Sequence, residues 1–496
     1  MAIAVEIPEA ARRFLDGKPK GLWIDNAYVD ATSGRTITAY DPATGEALGD
    51  VQEASTEDVD RAVRSARAAF DGEWSSITPD DRSRILWRIS ELVEQHAEEL
   101  AVLETLNNGK PIVAARRDDI PNLAAMFRYY AGWTTKLQGK TIPTSAGNFL
   151  TYTRHEPVGV CAGIIPWNYP LMMAGWKMAP ALACGNVIIM KPAEQTPLSL
   201  LRFAEIAAEA GLPAGVLNVL NGMGETTGQA LVDHAGIDKV AFTGSAEVGR
   251  LITRGSTGNL KRVSLELGGK SPNVFFDDAP EDRIDGAVWG IYYNMGQDCT
   301  AGSRLFIQSG IYDEVLSGLV DGAKAMKVGP GMDEETDIGP LVTREQMDRV
   351  LGYVDIGRSE GKIPVGGGRA QVAGGENGNF VLPTVISDTS NAARVAQEEI
   401  FGPVVVAMPF DDEDELVRKA NDTIYGLGAA VWSNDAKRAL RIAHRMKAGT
   451  VWVNCYGPVD PAAPFGGFKQ SGHGREMGEY ALELYTEVKC VWVNLD

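Results

Sequence analysis

Apolar and polar positions follow two rhythms along this chain. The stretch "STEDVDRAVRSARAAF" places Val59, Ala62, Val63, Ala66 and Phe70 on one face of a helix, with Ser55 and Asp58 at capping-box spacing. The rhythm continues through Ile85, Leu86, Ile89, Leu92 and Val93, predicting one helical stretch over roughly 79–107. Upstream, residues 20–50 read as short strands and turns punctuated by "DPATGE". From about 155 short apolar strands alternate with helices: "GNVIIM", a helix begun by Thr196-Pro197, "VLNVL", "KVAF", the helix "AEVGRLITRG" and "RVSLEL". After "LGGKSP" the alternation resumes with "SRLFIQ", a helix over 311–326, "PVVVAMPF", "DEDELVRKAND", "GAAVWS", a helix over 435–447 and "TVWVN". Strand–loop–helix repeated in this way predicts two α/β lobes, each a parallel sheet covered by helices, with ligands expected at the carboxyl ends of the strands.

Two extended segments fit neither lobe: "GKTIPTSAGNFLTYTRHEP" and "YTEVKCVWVN". They read as strands that pair with another subunit or as edge strands of a lobe. A length of 496 residues agrees with two or three lobes. A net charge of −19 with no basic cluster argues against nucleic acid or an anionic membrane as partner. No apolar run approaches the length of a membrane span, and "MAIAVEIPEAARRFLDGKPK" lacks the apolar core of an export signal. Five scattered cysteines without a CxxC pair suit a reducing compartment, so a cytoplasmic location is expected. The five histidines are isolated, and no metal site is expected.

Candidate chemistry centres on "NMGQDCTAGSR". Small residues after Cys299 leave its sulfur open to a substrate, and nearby amides could face an oxyanion. A half-buried cysteine at a loop edge is the plain alternative. Asp298 disfavours a thiolate unless it points away. Glu266 ends a strand before two glycines that permit a sharp turn, and beside an apolar pocket its carboxyl would rise to suit a general base. Asn168, in a loop stiffened by prolines, is either a turn cap or an oxyanion donor that does not titrate. Lys191 and Glu194 follow a strand, as a surface charge pair or as holders of a ribose. Gly244 and Ser245 start a helix, where amides and dipole favour phosphate. "NGMGETTG" does not match the usual dinucleotide fingerprint.

The ordered set "PWNYP", "KPAEQTP", "FTGSAEVG", "LELGGKSP", "GQDCTAGSR", "EEIFGPV" and "PFGGFKQSGHGRE" closely resembles the NAD(P)-dependent aldehyde dehydrogenase superfamily, of the hydrolytic, non-acylating type. The resemblance covers essentially the whole chain. It implies an α/β protein with a discontinuous NAD-binding domain (1–136 and 156–267), a catalytic domain (268–476) and a small β oligomerisation arm (137–155 and 477–496). A homo-oligomer, dimer or tetramer, is implied with it.

By this resemblance Cys299 attacks a small-molecule aldehyde, the Asn168 amide and the Cys299 backbone amide hold the oxyanion, and Glu266 activates the water that hydrolyses a thioester. Lys177 and Glu476 match positions linked to proton relay, with a structural salt bridge as the alternative. Ile165, Trp167, Lys191, Glu194, Gly244, Ser245, Glu399 and Phe401 match cofactor contacts. Glu194 favours NAD, with NADP possible through Lys191. Tyr169, Trp176 and Phe465 match the substrate tunnel. Met172 and Met173 could add adaptable surface, and Asp298 and Asp460 could bring acid to the tunnel. Broad aliphatic or aromatic aldehydes are the expected substrates, an aminoaldehyde or betaine aldehyde the alternative. A CoA-acylating or catalytically silent relative is a further one.

Overall fold

The computed structural model describes residues 7–496. The first six residues, part of both the stretch read for an export signal and the expected 1–136 segment, lie outside the described residues. The capping box forms as its spacing predicts: Ser55 Oγ accepts from Glu57 and Asp58 N–H, and Asp58 accepts from Ser55 N–H, starting helix Thr56–Asp71. The helical stretch over 79–107 is instead two helices, Pro79–Gln95 and Ala97–Asn108. They part at His96, whose backbone leaves the helical region (φ −99°, ψ 16°). Beyond it Glu99 accepts from Arg202 and meets His96, and the second helix is buried from Glu99 to Asn108.

The first sheet has eight strands in the order Gly472–His473, Arg262–Glu266, Lys239–Thr243, Val160–Ile164, Val187–Lys191, Leu217–Val219, Leu22–Ile24 and Ala27–Val29. The five from Arg262–Glu266 to Leu217–Val219 run parallel. Helices cover both faces of its centre, and Val160–Ile164, Val187–Lys191 and Lys239–Thr243 are accordingly mostly apolar and buried throughout. Chain order reverses between Val160–Ile164 and Lys239–Thr243, the switch point at which such sheets open a crevice. Gly472–His473 pairs antiparallel with Leu265 and Glu266, so this segment edges the first sheet although it falls within the range expected for the second lobe.

The second sheet has seven strands in the order Lys362–Val365, Thr384–Ser387, Val404–Phe410, Arg304–Gln308, Pro272–Phe275, Gly428–Trp432 and Thr450–Val453. All neighbours are parallel except the first pair. Each sheet has its own apolar core. The two extended segments pair with each other, Phe149–Pro157 antiparallel to Thr486–Asn494 over nine residue pairs. A smaller antiparallel pair, Thr36–Tyr40 with Ala47–Gln52, surrounds the "DPATGE" turn. No helix among the described residues is long and apolar enough to cross a membrane.

Candidate active site

Cys299 is carried by a loop that both lobes hold. The chain leaves helix Arg283–Tyr292 through Asn294 and Met295, both with positive φ (49° and 57°), and reaches Cys299 before strand Arg304–Gln308. Asn168 donates its amide to the Gln297 carbonyl at 3.0 Å, and Asn294 donates to the same oxygen at 3.0 Å. Asp298 Oδ1 accepts from Thr300 N–H and Thr300 Oγ1, both at 2.7 Å, and Tyr169 OH donates to Asp298 Oδ2 at 3.0 Å. Tyr456 OH donates to the Thr300 carbonyl at 2.5 Å. A Cβ at Gly269 would run into the Cys299 carbonyl, and one at Gly268 into the Glu399 carboxylate. Close approach, more than a turn, is what the two glycines after Glu266 permit.

The half-buried Cys299 lines a cleft of about 590 Å³. Tyr169, Trp176, Met172, Met173, Phe465, Asp298 and Asp460, all anticipated from the sequence, share its walls. Trp176 and Phe465 meet edge to face at 4.9 Å between centroids. Trp289, Tyr293 and Tyr456 complete the aromatic lining and were not singled out from the sequence. Trp289 and Tyr293 lie on or just after a helix whose aromatic residues look like ordinary core from spacing alone. Asp118 at the rim is held by Arg117 at 2.7 Å and by Tyr293 OH at 2.9 Å.

Beneath the cleft lies a buried charge cluster. Lys177, on helix Pro170–Ala183, is fully buried; it donates to Glu476 Oε1 at 2.7 Å and to Thr243 Oγ1 at 2.6 Å. Glu266 and Glu476 are also buried, and Glu266 Oε2 and Glu476 Oε2 have no protein hydrogen-bond partner. Burial first, then the neighbouring Glu476 charge, holds the Glu266 carboxyl well above the usual carboxylate range, against the pull of Lys177 and Arg475. The Cys299 thiol is likewise held well above its ordinary value by burial and then by Asp298, Glu399 and Glu266.

The remaining candidates gather at the carboxyl ends of the first sheet and across from them. Ile165 N–H donates to the Lys191 carbonyl at 3.1 Å. Lys191 bonds Glu194 at 3.3 Å and the Pro192 carbonyl at 2.9 Å, and burial lowers its ammonium. Ser245 caps helix Ala246–Gly255, its hydroxyl accepting from Val248 N–H at 3.2 Å. Gly244 N–H donates to the Glu266 carbonyl at 3.0 Å. From the second lobe, Glu399 Oε1 accepts from Gly269 N–H at 2.8 Å, and burial pushes its carboxyl up to about 7. Phe401, at φ 62°, meets Trp167 edge to face at 5.2 Å.

A carboxyl raised by folding favours the protonated form, so its stabilising contribution is complete below the unfolded value and is lost as pH rises through the folded one. Glu266→Gln removes that loss. Thermal melts should therefore show the variant above the parent at pH 8, with the gain shrinking towards pH 5. A gain that does not depend on pH would contradict the assignment.

The profile of the aldehyde dehydrogenase family matches residues 28–491. Retinal dehydrogenase 2 of Homo sapiens is 47% identical over 485 residues, covering 97% of this chain and 93% of its own. An NAD+ complex of aldehyde dehydrogenase from Bacillus cereus superposes with TM-score 0.97 at 49% identity, covering 99% of this chain and 100% of that one. The P. syringae indole-3-acetaldehyde dehydrogenase AldA, in complex with NAD+ and IAA, gives TM-score 0.95 at 43% identity, with 98% and 99% covered. A profile match over nearly the whole length, with relatives this similar end to end, means that the chain belongs to the aldehyde dehydrogenase family.

Proposed function

We propose that this protein oxidises aldehydes to carboxylic acids with NAD, through a thiohemiacetal and then a thioester on Cys299. The observation that carries the reading is the placement of Cys299 on the wall of an aromatic cleft, with the buried Glu266 carboxyl, one oxygen of it unpartnered, among the groups whose charge bears on its thiol. In this reading Cys299 Sγ bonds to the aldehyde carbon. Asn168 uses one amide hydrogen to hold the Gln297 carbonyl, and the other is free for the oxygen that becomes anionic. Glu266, raised by burial, takes a proton from the thiol and later from the water that cleaves the thioester. Glu476, already paired with Lys177, offers that proton a second carboxylate.

The residues present fit NAD: the crevice at the switch point, with Lys191 and Glu194 beyond one strand and Gly244 and Ser245 beyond another, offers a charged pair and a helix start. NAD supplies the hydride acceptor when bound. Glu194 would receive the adenosine ribose and repel a 2′-phosphate, Glu399 would hold the second ribose, and Phe401, with Ile165 and Trp167, would pack beside the rings. The NAD+ complexes of the B. cereus and P. syringae relatives support this choice.

Neutral aliphatic or aromatic aldehydes suit the cleft better than cationic ones. Asp298 is held by Tyr169 and Thr300, Asp118 by Arg117 and Tyr293, and Asp460 by the Ala462 amide, so each acidic group on the wall is engaged by the chain itself. Six aromatic side chains supply the apolar surface instead. A reducing cytoplasm suits a chain whose five cysteines, the proposed nucleophile among them, are all free.

Assembly into a dimer or tetramer is part of the same proposal. The ribbon of Phe149–Pro157 and Thr486–Asn494 exposes Leu150, Val488, Trp492 and Val493. An apolar two-stranded ribbon is marginal alone, and a second copy would cover it.

Purified protein should form NADH from NAD and benzaldehyde or hexanal faster than from a trimethylammonio aldehyde. Cys299→Ala should abolish turnover, and Asn168→Ala should lower kcat roughly a hundred- to a thousand-fold. Turnover that survives Cys299→Ala sinks the mechanism. Light scattering should report a smaller particle for Trp492→Glu than for the parent, and an unchanged mass would remove the ribbon from the interface.

A further inference from the structure

Lining the cleft does not account for how Tyr169 is held. Its ring is nearly fully buried, with Lys110 Nζ 4.3 Å from its centroid and the Tyr293 ring stacked at 6.5 Å. Lys110 is itself buried and ion-paired with the buried Asp119, so the cation under the ring is fixed. The Tyr169 hydroxyl crosses from the first lobe to the second, where it donates to Asp298 Oδ2 at 3.0 Å. The other oxygen of that carboxylate takes the amide and hydroxyl of Thr300, both at 2.7 Å. Residues 298 and 300 are thus stapled together by one side chain, with Cys299 between them.

We propose that Tyr169 and Asp298 are a positioning pair that fixes the backbone of Cys299 across the boundary between the lobes, with Lys110 holding the tyrosine ring in place. The proposal rests on the reading of Cys299 as nucleophile and gives Asp298, adverse to a thiolate, a reason to stand beside it. The carboxylate spends its lone pairs on the loop, and the Tyr169 hydroxyl moderates its charge. The charged and titratable groups facing the thiol are Asp298, Glu399 and Glu266, with Tyr169 and Tyr456 beside them. Only Asp298 is bonded to Tyr169.

Two isosteric variants test this, Tyr169→Phe and Asp298→Asn. The reaction of Cys299 with iodoacetamide is followed against pH by peptide mass, without cofactor or aldehyde. Tyr169→Phe leaves the Asp298 charge unmoderated and should move the midpoint to higher pH, whereas Asp298→Asn removes the charge and should move it lower. The double variant should match Asp298→Asn, because the hydroxyl acts only through the carboxylate. In turnover, Tyr169→Phe should lower kcat roughly tenfold with KM for NAD unchanged, the scale of one hydrogen bond to a charged group. Any other midpoint pattern, including no shift or additive shifts, overturns the proposal. A parent that alkylates in the expected pattern yet oxidises no aldehyde overturns the proposed function and leaves the pair standing; turnover without the pattern does the reverse.

Discussion

Lys177, Glu476 and Glu266 put one ammonium and two carboxyl groups into the buried interior, and that grouping joins parts of the chain 299 residues apart. Helix Pro170–Ala183 brings the lysine, strand Lys239–Thr243 ends in the threonine that shares it, strand Arg262–Glu266 ends in one carboxylate, and the return after Gly472–His473 brings the other. Burying charge is costly unless it is paired, and removing one partner of such a pair costs about 3–5 kcal/mol. The first sheet therefore has a strong reason to keep this edge closed. The same desolvation raises Glu266, so the packing requirement and the acid–base property share one cause.

The Cys299 loop obeys a different constraint. Met295 and Ala301 anchor its two ends in the second core, and the stretch between is fixed by polar bonds from several directions: Asn168 and Tyr169 from the first lobe, Asn294, Thr300 and Tyr456 from the second. Gly269 lets the strand end of one lobe lie directly against it, as Gly268 does against Glu399. A loop held this way can keep a partly exposed sulfur in place while the surrounding cleft stays open, which apolar packing around the sulfur could not do.

Much of this was legible in the sequence, for reasons that differ by element. "VIIMK" and "KVAFT" are buried throughout because both faces of the parallel sheet are covered, and the short apolar runs inside them announce that. The capping box at Ser55 is local and appeared as expected. Helix Pro170–Ala183 was not singled out: all fourteen of its residues are buried, so it has no polar face to mark a period. The break at His96 escaped because no glycine or proline signals it, and Glu99 just beyond it is met by an arginine 103 residues away. Asp298 was adverse in the sequence because its partners, Tyr169 and Thr300, are assigned only by the folded loop. The chemistry-bearing residues stood out through an ordered set of motifs, while Lys110, Trp289 and Tyr456 had no local feature to separate them from core.

The short pairing of Gly472 and His473 with the end of strand Arg262–Glu266 bears on how the molecule is made. Every strand of the second sheet lies between residues 272 and 453, so that lobe is complete in the nascent chain before residue 472 has left the ribosome. The first lobe, begun near residue 22, must wait for it. Until Glu476 emerges, Lys177 lacks the carboxylate it is paired with in the finished lobe, and burying an unpaired ammonium is costly. The lobe that starts first in the sequence thus finishes last, and its closing step is also the one that completes the acid–base cluster.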